Sequence, residues 1–98
     1  MKIVFHPEAY EEMLESARFY EQREEGLGWE FLEAVVDATR RIRQFPHAGP
    51  VEGAHMRKRL VAGFPFTILY QLQKDRIHIA AVMHQYRKPG YWKARLRE

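Results

Sequence analysis

The sequence predicts an α+β fold: β-α-α-β-β-β, a mainly antiparallel four-stranded sheet with an αα-hairpin packed on one face. Three observations predict it. Residues 10–42 carry apolar side chains at helical spacing, interrupted once at Gly26-Leu27-Gly28. Residues 55–84 divide into three β-rich runs, and the turns between those runs are short enough for hairpins. Ninety-eight residues suffice for a single domain, 1–98, with one core.

Taken in order, Lys2-Ile3-Val4-Phe5 is a short β-rich run. Pro7 suits a first helical turn, with Glu8, Glu11 and Glu12 where the helix dipole favours anions. His6 is a poor N-cap by residue type. Tyr10, Met13, Leu14, Ala17 and Tyr20 carry the first helix to about residue 24. Its glutamates are assigned to the face opposite the apolar stripe, where carboxylates stay solvated. The second helix presents Leu32, Val35, Val36, Thr39 and Ile42 on one face and ends near Phe45-Pro46, with Arg40, Arg41 and Arg43 in its last turns. So short a link makes the pair an antiparallel hairpin whose stripes a sheet must cover. His47 to Gly53 is loop by its glycine and proline content. Strands are expected at His55–Val61, Phe66–Gln73 and Arg76–His84, the last being the most apolar and therefore central.

The charge is divided unevenly along the chain. Residues 1–49 hold six lysines and arginines against ten carboxylates, and residues 50–98 hold ten against three, a net −4 beside a net +7. A basic half mixed with aromatics is the electrostatic footprint of a polyanionic partner, nucleic acid or an acidic protein. No cysteine is present, so disulfides and zinc–thiolate sites are excluded, in keeping with a reducing cytoplasm. No apolar run has the length of a signal peptide or a membrane span, and a soluble, intracellular protein with no membrane partner is expected.

The chemistry-bearing residues gather where the last strand ends, in Val82-Met83-His84-Gln85-Tyr86-Arg87-Lys88-Pro89-Gly90-Tyr91-Trp92. Rings and cations at a strand end suit stacking on bases and pairing with phosphate, or docking on an acidic partner. On the strand after the loop, Arg57 and Arg59 share one face, about 7 Å apart, and Met56, Lys58 and Leu60 share the other. Two such guanidiniums form a fork for adjacent phosphates, or blunt an edge strand against aggregation. Arg87 is placed to meet Arg57 or Arg59 around one phosphate while His84 or a tyrosine moves the proton. Tyr91 and Trp92 either contact the target or staple the tail to the sheet. Lys93, Arg95 and Arg97 alternate as in a solvated tail. The five histidines are scattered with no carboxylate pattern joining them, there is no glycine-rich phosphate loop, and the one serine, Ser16, lies mid-helix. No cofactor or metal is expected.

Several segments in order carry a family resemblance. They are Ile42-Arg43-Gln44-Phe45-Pro46-His47-Ala48-Gly49-Pro50, the arginine-bearing strand, Phe64-Pro65-Phe66, Ile68-x-Tyr70 and the closing His84-x-x-Arg87-x-Pro89-x-Tyr91-Trp92. Over nearly its full length the chain resembles the RelE/ParE superfamily of type II toxin–antitoxin toxins, also called plasmid stabilisation proteins. The resemblance implies a growth-inhibiting toxin, neutralised by a cognate antitoxin that wraps it with an extended or helical segment in a hetero-oligomer. RelE-like members cut mRNA on the ribosome without a metal, through attack by the 2′-hydroxyl. Carried over, that catalysis falls to His84, Arg87, Arg57 and Tyr91, with Tyr86 the alternative tyrosine. Arg59, Lys58, Lys88, Trp92 and Lys93 become the target contacts. ParE-like members poison DNA gyrase. Arginine stands on the second strand where RelE-like chains usually carry lysine, and the long helical hairpin is ParE-like, whereas His84 with Arg87 points to the RelE branch. The expectation is a ParE-like gyrase poison; the alternatives are a RelE-like endoribonuclease or an inactive relative that binds only its antitoxin.

Overall fold

A computed structural model describes residues 1–51 and 55–97. The elements are β1 (Lys2–Phe5), α1 (Pro7–Arg23), α2 (Leu27–Gln44), β2 (Met56–Leu60), β3 (Phe66–Leu72) and β4 (Arg76–His84), followed by a 3₁₀ turn at Lys93–Arg97. No helix among them is long and apolar enough to cross a membrane. Glu52 and Gly53, assigned above to the loop after α2, lie outside the described residues.

Helix α1 starts with Pro7 in its first turn, where the missing N–H costs nothing. His6 does serve as its N-cap, contrary to expectation: Nδ1 accepts from the Glu8 N–H at 3.0 Å. An imidazole nitrogen without its proton replaces the usual hydroxyl or carboxylate oxygen. Helix α2 begins at Leu27, so Gly28 falls in its first turn and not in the break. Gly26, at φ +88°, is its N-cap and has no side chain to contribute. Glu21 of α1 supplies the acceptors, Oε2 taking the Gly26 N–H at 2.9 Å and Oε1 the Gly28 N–H at 3.0 Å. A β-carbon on Gly28 would sit 2.5 Å from the Ala17 carbonyl oxygen. The two helices therefore touch backbone to backbone at this point.

The strand order is β1-β4-β3-β2, which puts β4 in the interior as its composition predicts. Strands β2, β3 and β4 form the antiparallel meander, and β1 returns parallel to β4, pairing Lys2–Phe5 with Arg76–Ile79. One irregularity governs what the end of β4 presents. Tyr70 pairs with Ile79 but Leu69 pairs with Ala81, so Ala80 is an extra residue, a β-bulge. The bulge shifts the alternation by one. Ile77 and Ile79 face the helices before it; after it Val82 does, and His84 packs on Phe66 of the same core. Ala80 and Ala81 both reach the opposite face.

Two cores result. Between helices and sheet lie Ala9, Met13 and Ala17 of α1, Phe31, Val35 and Ile42 of α2, and Ile68, Tyr70, Ile77 and Ile79 of the sheet. On the other face a smaller cluster joins Met56, Leu69, Ala80 and Ala81 to Trp92 of the tail. The tail thus crosses to the sheet face that the helices leave open, and the ring of Trp92 is its staple.

Alanine normally favours a helix over glycine by about 1 kcal/mol. At position 28 the clash with a backbone oxygen outweighs that gain. Gly28→Ala is expected to lower stability by about 1–3 kcal/mol in urea unfolding, the usual cost of overpacking.

Candidate functional site

Because β1 ends at Phe5, the second half of β4 has no neighbouring strand on that side. The His6 N–H still reaches the Ile79 carbonyl at 2.8 Å, and beyond it the edge groups are Ala80 C=O and Val82 N–H. A buried backbone group left unpaired costs about 1–3 kcal/mol. Two side chains seal this edge. Glu12 Oε1 of α1 accepts from the Val82 N–H at 3.1 Å, and Arg95 Nη1 of the tail donates to the Ala80 carbonyl at 3.0 Å. They also bind each other in a fork, Nη1 to Oε1 at 2.9 Å and Nη2 to Oε2 at 3.0 Å, while Arg95 Nε donates to Glu8 at 3.0 Å. The Arg95 side chain is 8% exposed and that of Glu12 is 19%.

Tyr91 completes the network by donating its hydroxyl to Glu12 Oε2 at 2.5 Å. Burial pushes its phenol well above the ordinary tyrosine range. The hydrogen bond and the charge of Glu12 add to this, against opposing effects of Arg95 and Arg87. Burial works against the charge on Arg95, but the hydrogen bond and charge of Glu12, with Tyr91 and Glu8, outweigh it and raise its pKa. The guanidinium of Arg87 stacks on the Tyr91 ring at 4.0 Å and that of Arg95 lies 4.9 Å from its centroid.

Beside this network is a cleft of about 180 Å³ whose walls include His84, Arg87 and Tyr91 together with Glu12, Glu15 and Phe66. The His84 ring meets Phe66 edge-on at 5.2 Å, and its Nδ1 accepts from the Tyr86 N–H at 3.1 Å. An Nδ1 that accepts leaves the imidazole proton on Nε2. In this arrangement the ring donates through Nε2.

The structure brings His84, Arg87 and Tyr91 together and places the other expected residues elsewhere. Arg57 and Arg59 do share a face, opposite Tyr70 and Ile68, which is the face the helices cover. Arg57 Nη1 is bound to the carbonyls of His47 at 3.0 Å and Gly49 at 2.8 Å, and Tyr70 donates to the Pro46 carbonyl at 3.0 Å. Both side chains hold the loop that follows α2. Arg59 Nε is buried with no hydrogen-bond partner among the described residues. Two strand spacings, about 10 Å, separate Arg59 from Val82 across the sheet, with Ile68 between them in register. The meeting of Arg87 with Arg57 or Arg59 around one phosphate is therefore corrected: Arg87 stacks on Tyr91, and neither β2 arginine lines the cleft. Lys58 projects to the other sheet face, opposite Leu69. Lys88 and Lys93 are exposed, as is Tyr86, whereas Trp92 is 7% exposed and packed against Met56, Leu69, Ala80 and Ala81. No group of histidines and carboxylates able to hold a metal occurs among the described residues.

Glu12 and Arg95 are the two residues that sequence reasoning left to solvent. Arg95 carries no local signal, since its alternation with Lys93 and Arg97 reads as a solvated tail. Glu12 had one: it lies three residues after Ala9 and four before Ser16, on the margin of the α1 stripe and not opposite it.

This small α+β fold, an αα-hairpin on a β1-β4-β3-β2 sheet, is shared by solved structures. One solved structure with it is a YoeB/ParE toxin from Agrobacterium tumefaciens, 18% identical, with a TM-score of 0.62 over 88% of this chain and 100% of that one. Another is from the chromosomal ParDE TA system of P. aeruginosa, 16% identical, with a TM-score of 0.63 over 86% of this chain and 95% of that one. No family model and no curated protein matches the sequence.

Removing Glu12 leaves the buried Arg95 charge with only the exposed Glu8 carboxylate as counter-ion, and breaking a buried pair in this way costs up to about 3–5 kcal/mol. Release of the tail is the cheaper outcome. In a Trp29→Phe background, Glu12→Ala is expected to shift Trp92 emission to the red while far-UV circular dichroism keeps its helical signal. A raised phenol pKa stabilises the fold fully below the unfolded tyrosine value of about 10 and loses that contribution as pH rises above it. Urea stability measured from pH 9 upward should therefore fall, and Tyr91→Phe should fall less steeply.

Proposed function

We propose that this chain is the toxin of a type II toxin–antitoxin module and arrests growth by binding its target, in the manner of the ParE branch. The fold shared with a YoeB/ParE toxin and with a component of a ParDE system supports the toxin class and a cognate antitoxin as partner in a hetero-oligomer. The observation that carries the choice of branch is the engagement of the side chains that RNA cleavage would need. Arg57 is spent on two backbone carbonyls, and the Tyr91 hydroxyl is held by Glu12 with its proton firmly bound. What remains at the surface is a basic rim of the tail: Arg87, which lines the shallow cleft, and the exposed Lys88 and Lys93 that follow it in sequence. Such a rim binds a polyanionic or acidic target without itself breaking a bond. DNA gyrase, working in the cytoplasm, is the target that the ParE resemblance implies.

One observation favours a second reading. His84 and Arg87 line the same cleft: an imidazole that can take the proton of an RNA 2′-hydroxyl and pass one to the leaving 5′-oxygen, beside a cation that offsets the charge on the phosphate, is what metal-independent cleavage requires. In that case the substrate is ribosome-bound mRNA.

The test is a purified gyrase assay on supercoiled plasmid run beside a ribosome-bound mRNA assay. Gyrase–DNA cleavage complexes should accumulate with the wild-type chain. Arg87→Ala should need about tenfold more protein, the worth of one charged contact, while its circular dichroism and antitoxin binding stay unchanged. Cut mRNA with no cleavage complexes at saturating protein would establish the second reading, and neither signal would leave a chain that binds only its antitoxin.

A further inference from the structure

On the outer side of the helical hairpin a groove of about 330 Å³ runs between α1 and α2. Its described walls belong to those two helices, whereas the cleft at His84 is walled by α1, the sheet and the tail. Tyr10 of α1 and Trp29 and Val36 of α2 form its apolar part. All three are exposed, Trp29 at 66%. Val36, assigned by its spacing to the covered stripe, lines this groove instead. Large apolar side chains exposed around one groove mark a contact surface, unlike apolar residues scattered singly.

Charge identifies what the groove contacts. Along α2 its walls are Trp29, Glu33, Val36 and Arg40, at spacings of four, three and four residues. This is the seam spacing of paired helices. Glu33 lies before Val36 and Arg40 after it, by about 4.5 and 6 Å along the axis at 1.5 Å per residue. A second copy turned end over end about Val36 therefore sets Glu33 of each chain against Arg40 of the other. The same two-fold carries Trp29, seven residues before Val36, onto the exposed Arg43, seven after it, so that a ring meets a guanidinium. A parallel pairing would stack like charges instead, Glu33 on Glu33 and Arg40 on Arg40. A uniformly acidic or basic partner would leave one of the two facing its own sign.

We propose that the α1–α2 groove is the interface of a homodimer in which two α2 helices cross antiparallel about Val36. Helix α2 has 18 residues, so it spans about 27 Å. A face of that length and about 20 Å wide, two helix diameters, offers about 500 Å² per copy. That is below the roughly 800 Å² per partner of a standard interface, so the dimer is weak and reversible and forms in the micromolar range. It is independent of which target the His84 cleft meets.

The test is sedimentation velocity of the full chain alone, from micromolar to millimolar protein, with circular dichroism to confirm that each variant is folded. A monomer–dimer equilibrium is expected, with the Trp29 indole N–H signal shifting in NMR as the dimer fills. Val36→Asp should leave the chain monomeric across the range by placing two carboxylates on the axis. Glu33→Arg and Arg40→Glu should each weaken association about tenfold, because the two-fold repeats each like-charge contact. Mixed together, these two variants should dimerise as the wild type does, since each supplies the charge that the other lacks. Arg87→Ala should dimerise normally, which separates this surface from the target contact. A chain that stays monomeric at millimolar concentration, a dimer that survives Val36→Asp, or a mixture no better associated than its parts would overturn the proposal. So would a Trp29 signal that moves only when antitoxin is added, which would make the antitoxin the occupant of the groove.

Discussion

A strand that loses its neighbour halfway along must satisfy its edge by some other means, and the site and the tail depend on how β4 does this. Beyond Ile79 the parallel partner is gone, because the chain has already turned into α1. Glu12 and Arg95 fill the gap, one accepting from the strand and the other donating to it, and each satisfying the other. A charged pair at this depth is a weak source of net stability, since desolvation offsets most of the attraction. Its consequence is geometric. It fixes where the tail crosses the sheet, and so where Tyr91 and the Arg87 stacked on it come to lie.

The bulge at Ala80 acts on the same strand. With strict alternation His84 would have pointed to the face where Trp92 packs. The extra residue turns it towards Phe66 and α1, so that it joins Arg87 and Tyr91. A backbone irregularity and a buried carboxylate together assemble the cleft, and neither belongs to the cationic set that draws the eye in the sequence. The arginines of β2 serve the loop after α2 instead, with Arg57 pinned to His47 and Gly49.

This division explains what the residues alone revealed. The helical hairpin and the limits of β4 at Arg76 and His84 were legible because long periodic stretches are set by burial, and burial is written in apolar spacing. The starts of β2 and α2 moved by one residue or so, where local capping decides the boundary. The bulge was not legible, since Ala80 and Ala81 are both small and apolar and fit either register. Glu12 was misplaced because a carboxylate on a helix margin reads as solvated until its partner is known, and its partner lies 83 residues further along the chain. The role of Trp92 as a staple was one of two readings open from the residues, and packing selected it.

A double-mutant cycle on Glu12→Gln and Arg95→Met, read by urea unfolding, tests most directly whether this pair organises the tail. The account predicts a coupling energy of about 1.5 kcal/mol or more, as for groups in one buried network. Effects that simply add, to within about 0.3 kcal/mol, would mean that the two side chains act independently and that the tail is held by Trp92 alone.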